Sequence, residues 1–76
     1  MYKNNIMLKN IEVMESFSNL ANSFKDVNIS LASENYEIDP KSIMSIFSLD
    51  LSKPLTVIVK GDCPKELVSK IKEYEI

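Results

Sequence analysis

Apolar residues recur along the chain at two different spacings, which predict a mixture of helices and strands. Between residues 11 and 24 they stand three and four positions apart, the period of one helix face. Residues 27–31 alternate apolar and polar side chains, as half-buried strands do. Residues 54–61 are rich in β-branched side chains after a proline and end at Gly61, which favours a second strand.

The first predicted helix has an apolar stripe and a polar face. Asn10 is the expected N-cap, because its side-chain oxygen can accept a hydrogen bond from the free N–H groups of the first turn. Serine and asparagine are weak helix formers, so the helix needs tertiary packing. The predicted stripe is Ile11, Met14, Phe17, Leu20, Ala21 and Phe24, and the predicted outward face is Ser16, Ser18, Asn19, Asn22 and Ser23.

The remaining segments complete a seven-element order. We expect a strand over residues 3–9, a loop over Ser33–Asn35, a short strand over Tyr36–Ile38 and a boundary at Asp39-Pro40. A short helix follows within residues 41–49. The last helix is predicted to have Asp62 as cap candidate, Pro64 at its first position, a stripe of Leu67, Val68, Ile71 and Tyr74, and an extension to Ile76. An antiparallel sheet with three helices on one face, an α+β fold, would bury all the helical stripes together.

Composition narrows the classes of function. The 76 residues predict one domain, 1–76, and a net charge of −2 argues against nucleic acid as partner. One cysteine rules out an internal disulfide, and no signal peptide or membrane-length apolar run is present, so we expect a cytoplasmic protein with no membrane contact. The chain contains no histidine.

The stretch KSIMSIFSLDL (41–51), followed by LTVIVKG (55–61) and a final amphipathic helix, resembles the second half of HPr. HPr is the histidine-containing phosphocarrier of the bacterial sugar phosphotransferase system. In that family a Lys-Ser-Ile-Met segment opens a short second helix. The resemblance runs from about Ser23 to the end of the chain, and Ala21 and Phe24 match an Ala and a Phe in the family's first helix. It implies an open-faced sandwich with a four-stranded antiparallel sheet under three helices.

The phosphoryl-carrying residues of the family are missing from this chain. Counting back from Phe24, the carrier histidine of HPr would fall near Asn10, the arginine near Glu12 and the proline near Val13. An amide cannot accept the phosphoryl group as an imidazole does, and Glu12 would repel a phosphate where the family offers a cation. Phosphohistidine transfer is therefore excluded, and we expect a protein that is not an enzyme.

Ser42 is the candidate for regulatory phosphorylation. In HPr of low-GC Gram-positive bacteria, the serine of this motif is phosphorylated by a bifunctional kinase/phosphorylase, so the resemblance implies the same role for Ser42. A phosphate at a helix N-terminus faces free N–H groups, and neighbouring Lys41 could assist. The alternative is that Ser42 is a cap or a solvent-facing residue of the first turn. Asp39 could also be the cap, which would move Ser42 into the helix.

Ile43, Met44 and Phe47 are the candidate partner-binding residues. The resemblance implies that they lie at or near an exposed apolar patch through which HPr docks, while Ile46 and Leu49 pack inward. Methionine suits an adaptable docking surface, and exposed apolar patches mark contact sites. The alternative is that all of these side chains belong to the core.

The sequence contains few candidates for a nucleophilic, metal or cofactor site. Cys63 stands near a helix start without a histidine to act as base, so we expect it to be a cap or a packing residue. We expect no metal, because ligand-spaced histidines, cysteines and carboxylates are lacking, and no cofactor.

The preferred hypothesis is a non-catalytic, regulatory protein-binding module related to the phosphotransferase system. Its partner would be an HPr kinase/phosphorylase or a transcriptional regulator. The resemblance includes a precedent, the catabolite-repression HPr homologue, which lacks the carrier histidine and keeps the regulatory serine. The alternative is an accessory domain that inherited the fold and has no role in that system.

Overall fold

The computed structural model describes residues 1–34, 36–50 and 52–76, and its elements follow the predicted order. The elements are β1 (Tyr2–Ile6), α1 (Ile11–Ser23), β2 (Asn28–Ala32), β3 (Glu37–Ile38), α2 (Ile43–Phe47), β4 (Leu55–Lys60) and α3 (Lys65–Lys72). The predicted α+β class, with an antiparallel sheet and three helices, is confirmed. No helix within the described ranges is long and apolar enough to cross a membrane.

The four strands form one sheet in the order β1-β4-β2-β3, with antiparallel neighbours throughout. β4 lies between β1 and β2, and its side chains alternate in burial. Leu55, Val57 and Val59 are buried, whereas Thr56 and Ile58 are only half-buried. Since successive strand residues point to opposite faces, one face is apolar and the other is open to solvent. This is the expected open-faced sandwich.

The core lies between the apolar sheet face and the helices. α1 contributes Met14, Phe17 and Ala21, and α3 contributes Leu67 and Ile71. The remaining buried apolar side chains come from the strands, α2 and the loops: Ile6, Leu8, Ile29, Leu31, Ile46, Leu49, Leu55, Val57 and Val59. Burying one such side chain stabilises the fold by about 1.5–3 kcal/mol.

One position of the predicted α1 stripe and one position of its predicted outward face are wrong. Ile11 is 58% exposed, and Ser18, assigned to the outward face, is buried. Ile11 is the first residue of α1, and its side chain stays outside the core. Ser18 lies one residue after Phe17, at the margin of the buried face, where the neighbouring helix α2 packs on α1.

The first strand and the last helix have different ends from those predicted. β1 ends at Ile6, opposite Leu55, because the preceding Pro54 has no N–H with which β4 could extend the ladder. The N–H of Met7 instead donates to the Tyr74 carbonyl, at 3.1 Å.

α3 begins one residue later than expected and does not reach Ile76. Pro64 is extended, with ψ of 142°, and occupies the cap position, where its carbonyl accepts the Val68 N–H at 3.1 Å. Neither Asp62 nor Pro64 therefore has its predicted place. Ile76 donates its N–H to the Asn5 carbonyl at 3.3 Å, so the final residues pair with β1 rather than continue the helix.

The loop between β2 and β3 is described in part. The N–H of Ser33 donates to the Tyr36 carbonyl at 2.8 Å, which brings the two strands together. Asn35, part of the predicted loop, lies outside the described residues. β3 comprises Glu37–Ile38, so Tyr36 precedes the strand that was expected to include it.

Candidate functional site

The position at which the resemblance places the carrier histidine is a helix cap. Asn10 is extended, and its Oδ1 accepts a hydrogen bond from the Val13 N–H at 2.9 Å, which confirms the predicted N-cap. Glu12 is exposed in the first turn, where its carboxylate complements the positive end of the helix dipole. The arrangement stabilises α1 and presents a carboxylate, which repels phosphate.

Ser42 occupies the N-cap position of α2, and its side chain makes no capping hydrogen bond. The Ser42 carbonyl accepts the N–H groups of Ser45 and Ile46, at 3.1 and 3.3 Å. Asp39 is not the cap of α2: its carboxylate accepts the Lys41 N–H at 2.9 Å and closes the turn before the helix. The Ser42 side chain is therefore exposed at the start of α2, without a capping role.

The Lys41 side chain is engaged away from the helix start. Its ammonium donates to the carbonyls of Lys25 and Val27, at 3.0 and 2.9 Å, in the connection between α1 and β2. The expectation that Lys41 would assist a phosphate on Ser42 receives no support from this geometry. These two hydrogen bonds hold the segment before α2 against the segment after α1.

The five-residue helix α2 divides sharply between a buried and an exposed side. Ile46 is fully buried, and Leu49, just after the helix, is 7% exposed. Met44 is 74% exposed and Phe47 is 45% exposed, while Ile43 is half-buried. A helix this short is not stable alone, so Ile46 and Leu49 hold it to the core while Met44 and Phe47 face solvent.

A hydrogen bond from α1 fixes the start of α2 against the rest of the fold. The Asn22 side-chain amide donates to the Lys41 carbonyl at 3.0 Å and to the Ser18 carbonyl at 2.9 Å. The sequence indicated only that Asn22 was on a polar face. The sequence carried no signal for this contact, because Ser18, four positions earlier on the same side of α1, was itself predicted to face outward.

Cys63 is unsuited to nucleophilic chemistry. It is a half-buried free thiol, and burial raises its pKa above the ordinary value. At neutral pH the thiolate is correspondingly scarce. Among the described residues, no group of three or more potential metal ligands lies close together.

Comparison with solved structures yields a match along nearly the whole chain. The structure is similar to the crystal structure of HPr-C-His from Thermoanaerobacter tengcongensis, with a TM-score of 0.78 and 25% sequence identity, covering 96% of this chain and 89% of that one. No protein-family model and no curated protein sequence matches. The sheet order, the three helices and this likeness agree with the motif at Lys41–Leu51, and the chain is an HPr-like protein.

Proposed function

We propose that the chain is a non-catalytic HPr-like protein that acts as a regulatory protein-binding module. The observation that carries the proposal is the exposure of two large apolar side chains, Met44 at 74% and Phe47 at 45%, on one short helix. Exposed apolar side chains that stand together on an otherwise well-packed fold mark contact sites. Ile43, half-buried beside them, supplies the base of this docking surface.

The absence of carrier chemistry has a direct cause in the sequence. The chain has no histidine, and Asn10 uses its side-chain oxygen to cap α1. The proposed role is therefore recognition by a partner of the sugar phosphotransferase system, such as an HPr kinase/phosphorylase or a transcriptional regulator, in the cytoplasm. Buried Ile43, Met44 and Phe47 would have favoured the alternative, an accessory domain with no docking surface.

Ser42 is the proposed site of regulation within this surface. Its hydroxyl is exposed, makes no capping bond, and stands two residues before Met44. A phosphate at this position adds up to two negative charges beside the apolar side chains, which changes the partner that the surface accepts. In this proposal, phosphorylation of Ser42 changes which partner binds, and the phosphate is not passed on to another protein.

The test is phosphorylation by a purified HPr kinase/phosphorylase with ATP, followed by mapping of the phosphate by mass spectrometry. We expect phosphate on Ser42 that disappears in Ser42→Ala and remains in Ser48→Ala, which removes an exposed hydroxyl from the other end of α2. A chain that stays unmodified while a histidine-containing HPr is modified in parallel would refute the regulatory role for that kinase.

The same assay measures docking. Met44→Ser combined with Phe47→Ser should lower kcat/KM for Ser42 phosphorylation by about tenfold, since truncated interface anchors cost more than 1 kcal/mol. Ile76→Ser removes another exposed apolar side chain, far along the chain on the β1 edge, and should leave kcat/KM unchanged. Equal rates for all of these variants would show that the kinase does not use the α2 surface.

A further inference from the structure

The backbone of Ser42 is held by hydrogen bonds on both sides of the residue. Its N–H donates to the Asp39 carbonyl at 3.0 Å. Its carbonyl accepts the N–H groups of Ser45 and Ile46, at 3.1 and 3.3 Å. The hydroxyl is different, because the residue is exposed and its side chain makes no capping hydrogen bond. Ser42 therefore presents an exposed hydroxyl from a backbone whose own polar groups are satisfied.

The residues before Ser42 are held just as closely. The Lys41 N–H donates to the Asp39 carboxylate at 2.9 Å, which closes the turn before α2. The Lys41 ammonium donates to two carbonyls in the connection between α1 and β2, at 3.0 and 2.9 Å. The ring of Pro40, which is less than 2% exposed, fixes the backbone φ angle at about −65°. This segment therefore has little freedom to turn as a hinge.

The peptide group that joins Lys41 to Ser42 is held by a side chain from another helix. The Asn22 amide donates to the Lys41 carbonyl, which belongs to this peptide group, at 3.0 Å. The same amide donates to the Ser18 carbonyl, one turn earlier in α1, at 2.9 Å. Both of its N–H donors are therefore used, and the bond within α1 orients the bond to Lys41. Because a peptide group is planar, the contact fixes the plane from which Ser42 projects.

The core gives Asn22 a rigid support. Phe17 and Ala21, on the neighbouring part of α1, are each 1% exposed and belong to the hydrophobic core. Protein cores are close-packed, so this part of the helix cannot shift freely. The hydrogen bond from Asn22 thus transfers a position that is fixed by the core to the peptide group before Ser42.

We propose that Asn22 is a positioning residue for phosphorylation of Ser42, because it holds the peptide group from which the acceptor hydroxyl projects. The inference rests on the proposed function, since it names what orients the hydroxyl in that reaction. Asn22 acts through the backbone rather than on the phosphate.

The chemistry of the transfer makes orientation important. The Ser42 oxygen forms a bond to the γ-phosphorus of ATP, and the bond from that phosphorus to the oxygen of the β-phosphate breaks. ADP leaves, and the hydroxyl proton passes to a base of the kinase. The attacking and leaving oxygens must lie roughly in line, and a misplaced reactant lowers the rate by up to about 10²-fold.

The first experiment compares two asparagines of the same helix. Asn22→Ala removes the amide that bonds Lys41, and alanine, a better helix former, keeps α1 intact. Asn19→Ala is the matched control, since it removes an exposed amide of α1 that does not bond Lys41. Initial rates of Ser42 phosphorylation by purified HPr kinase/phosphorylase with ATP are measured over a range of protein concentrations. We expect Asn22→Ala to lower kcat by about tenfold with KM within about twofold of the parent, and Asn19→Ala to leave both unchanged.

Two further measurements separate positioning from a merely structural role. NMR relaxation of the amide nitrogens gives order parameters for Lys41 and Ser42. These should fall from about 0.85, the value of a rigid backbone, toward about 0.6 in Asn22→Ala and stay unchanged in Asn19→Ala. Asn22→Asp keeps the shape of the side chain and loses both N–H donors, so it should lower kcat as alanine does. The double variant of the α2 docking surface should instead raise KM.

Each outcome decides for or against the inference. Parent protein that is phosphorylated on Ser42, with the same kcat in Asn22→Ala, overturns the inference and leaves the proposed function in place. An equal fall in kcat in Asn22→Ala and Asn19→Ala shows a general effect of α1 and also overturns the inference. A fall in kcat without a change in the order parameters shows that Asn22 contacts the kinase directly, which again overturns it. Parent protein without phosphate on Ser42 refutes the proposed regulation by that kinase and, with it, the inference.

Discussion

Replacing Asn10 by alanine removes the side-chain acceptor that caps α1. In the structure Asn10 Oδ1 accepts the Val13 N–H at 2.9 Å, and the Asn10 carbonyl accepts the Met14 N–H at 3.0 Å. Alanine keeps the backbone bond and loses the side-chain bond. The Val13 N–H then has to be satisfied by solvent, and the extended backbone at position 10 loses its side-chain support.

We expect Asn10→Ala to lower the free energy of unfolding by about 1 kcal/mol, the usual cost of an N-cap lost to alanine. α1 has little to offset the loss, because its serines and asparagines are weak helix formers and its last turn has no basic residue. For a domain of this size, that cost corresponds to a fall in Tm of about 4–8 °C. With an m-value of about 1 kcal/mol/M, the urea midpoint falls by about 1 M.

The assay is urea unfolding followed by circular dichroism, with two further variants as controls. Asn10→Asp retains a capping oxygen and should stay within about 0.5 kcal/mol of the parent, while Asn10→Gly should lose only a few tenths. If alanine and aspartate destabilise equally, the hydrogen bond to Val13 is not the source of the effect. An unchanged midpoint in Asn10→Ala would refute the capping role altogether.

Three further predictions follow from burial, backbone and titration. Ile46→Ala should cost about 2–5 kcal/mol in urea unfolding because it leaves a cavity under α2, whereas Met44→Ser should stay within about 0.5 kcal/mol; similar costs would contradict the division of α2 into two sides. Gly61→Ala should cost about 1 kcal/mol, since Gly61 has φ of 79° but no atom within 4 Å of an added Cβ, and Gly61→Asn should cost less. Ser52→Ala should raise the pKa of Asp50 toward its ordinary value, because the Ser52 hydroxyl is the largest cause of its lowering. Since the folded pKa is lowered, the stabilisation exists above the unfolded pKa and is lost as pH falls through the folded pKa; an unchanged NMR titration of Asp50 would contradict this.

The spacing of apolar residues was enough to predict the order of the helices and strands. The residues at which these elements end depend on contacts between parts of the chain that are far apart in sequence. The 11–24 stripe and the β-branched run before Gly61 gave α1 and β4 because local period and propensity agreed there. The N-terminal strand was predicted to continue to residue 9, and it ends at Ile6 because β4 begins at Leu55 after a proline. Ile76 continues the apolar pattern of α3, yet its N–H bonds to Asn5, 71 positions earlier.

The candidate site shows the same division. The Lys-Ser-Ile-Met motif located α2 and Ser42 through the resemblance to HPr, and the absence of histidine excluded carrier chemistry from composition alone. Composition could not tell which of the apolar residues of α2 were buried. That depends on how a five-residue helix is rotated, and the rotation is decided by Ile46 and Leu49 entering the core.

The sequence by itself determined the fold class, the N-cap at Asn10 and the loss of the phosphoryl acceptor, because each depends on local pattern or on residue identity. Only the tertiary structure decided that Met44 and Phe47 face solvent, that Lys41 is bonded to the α1–β2 connection, and that Ser18 is buried on the side of α1 next to Asn22. These features depend on the relative placement of α1 and α2, which follows from long-range packing and from one hydrogen bond between Asn22 and the Lys41 carbonyl.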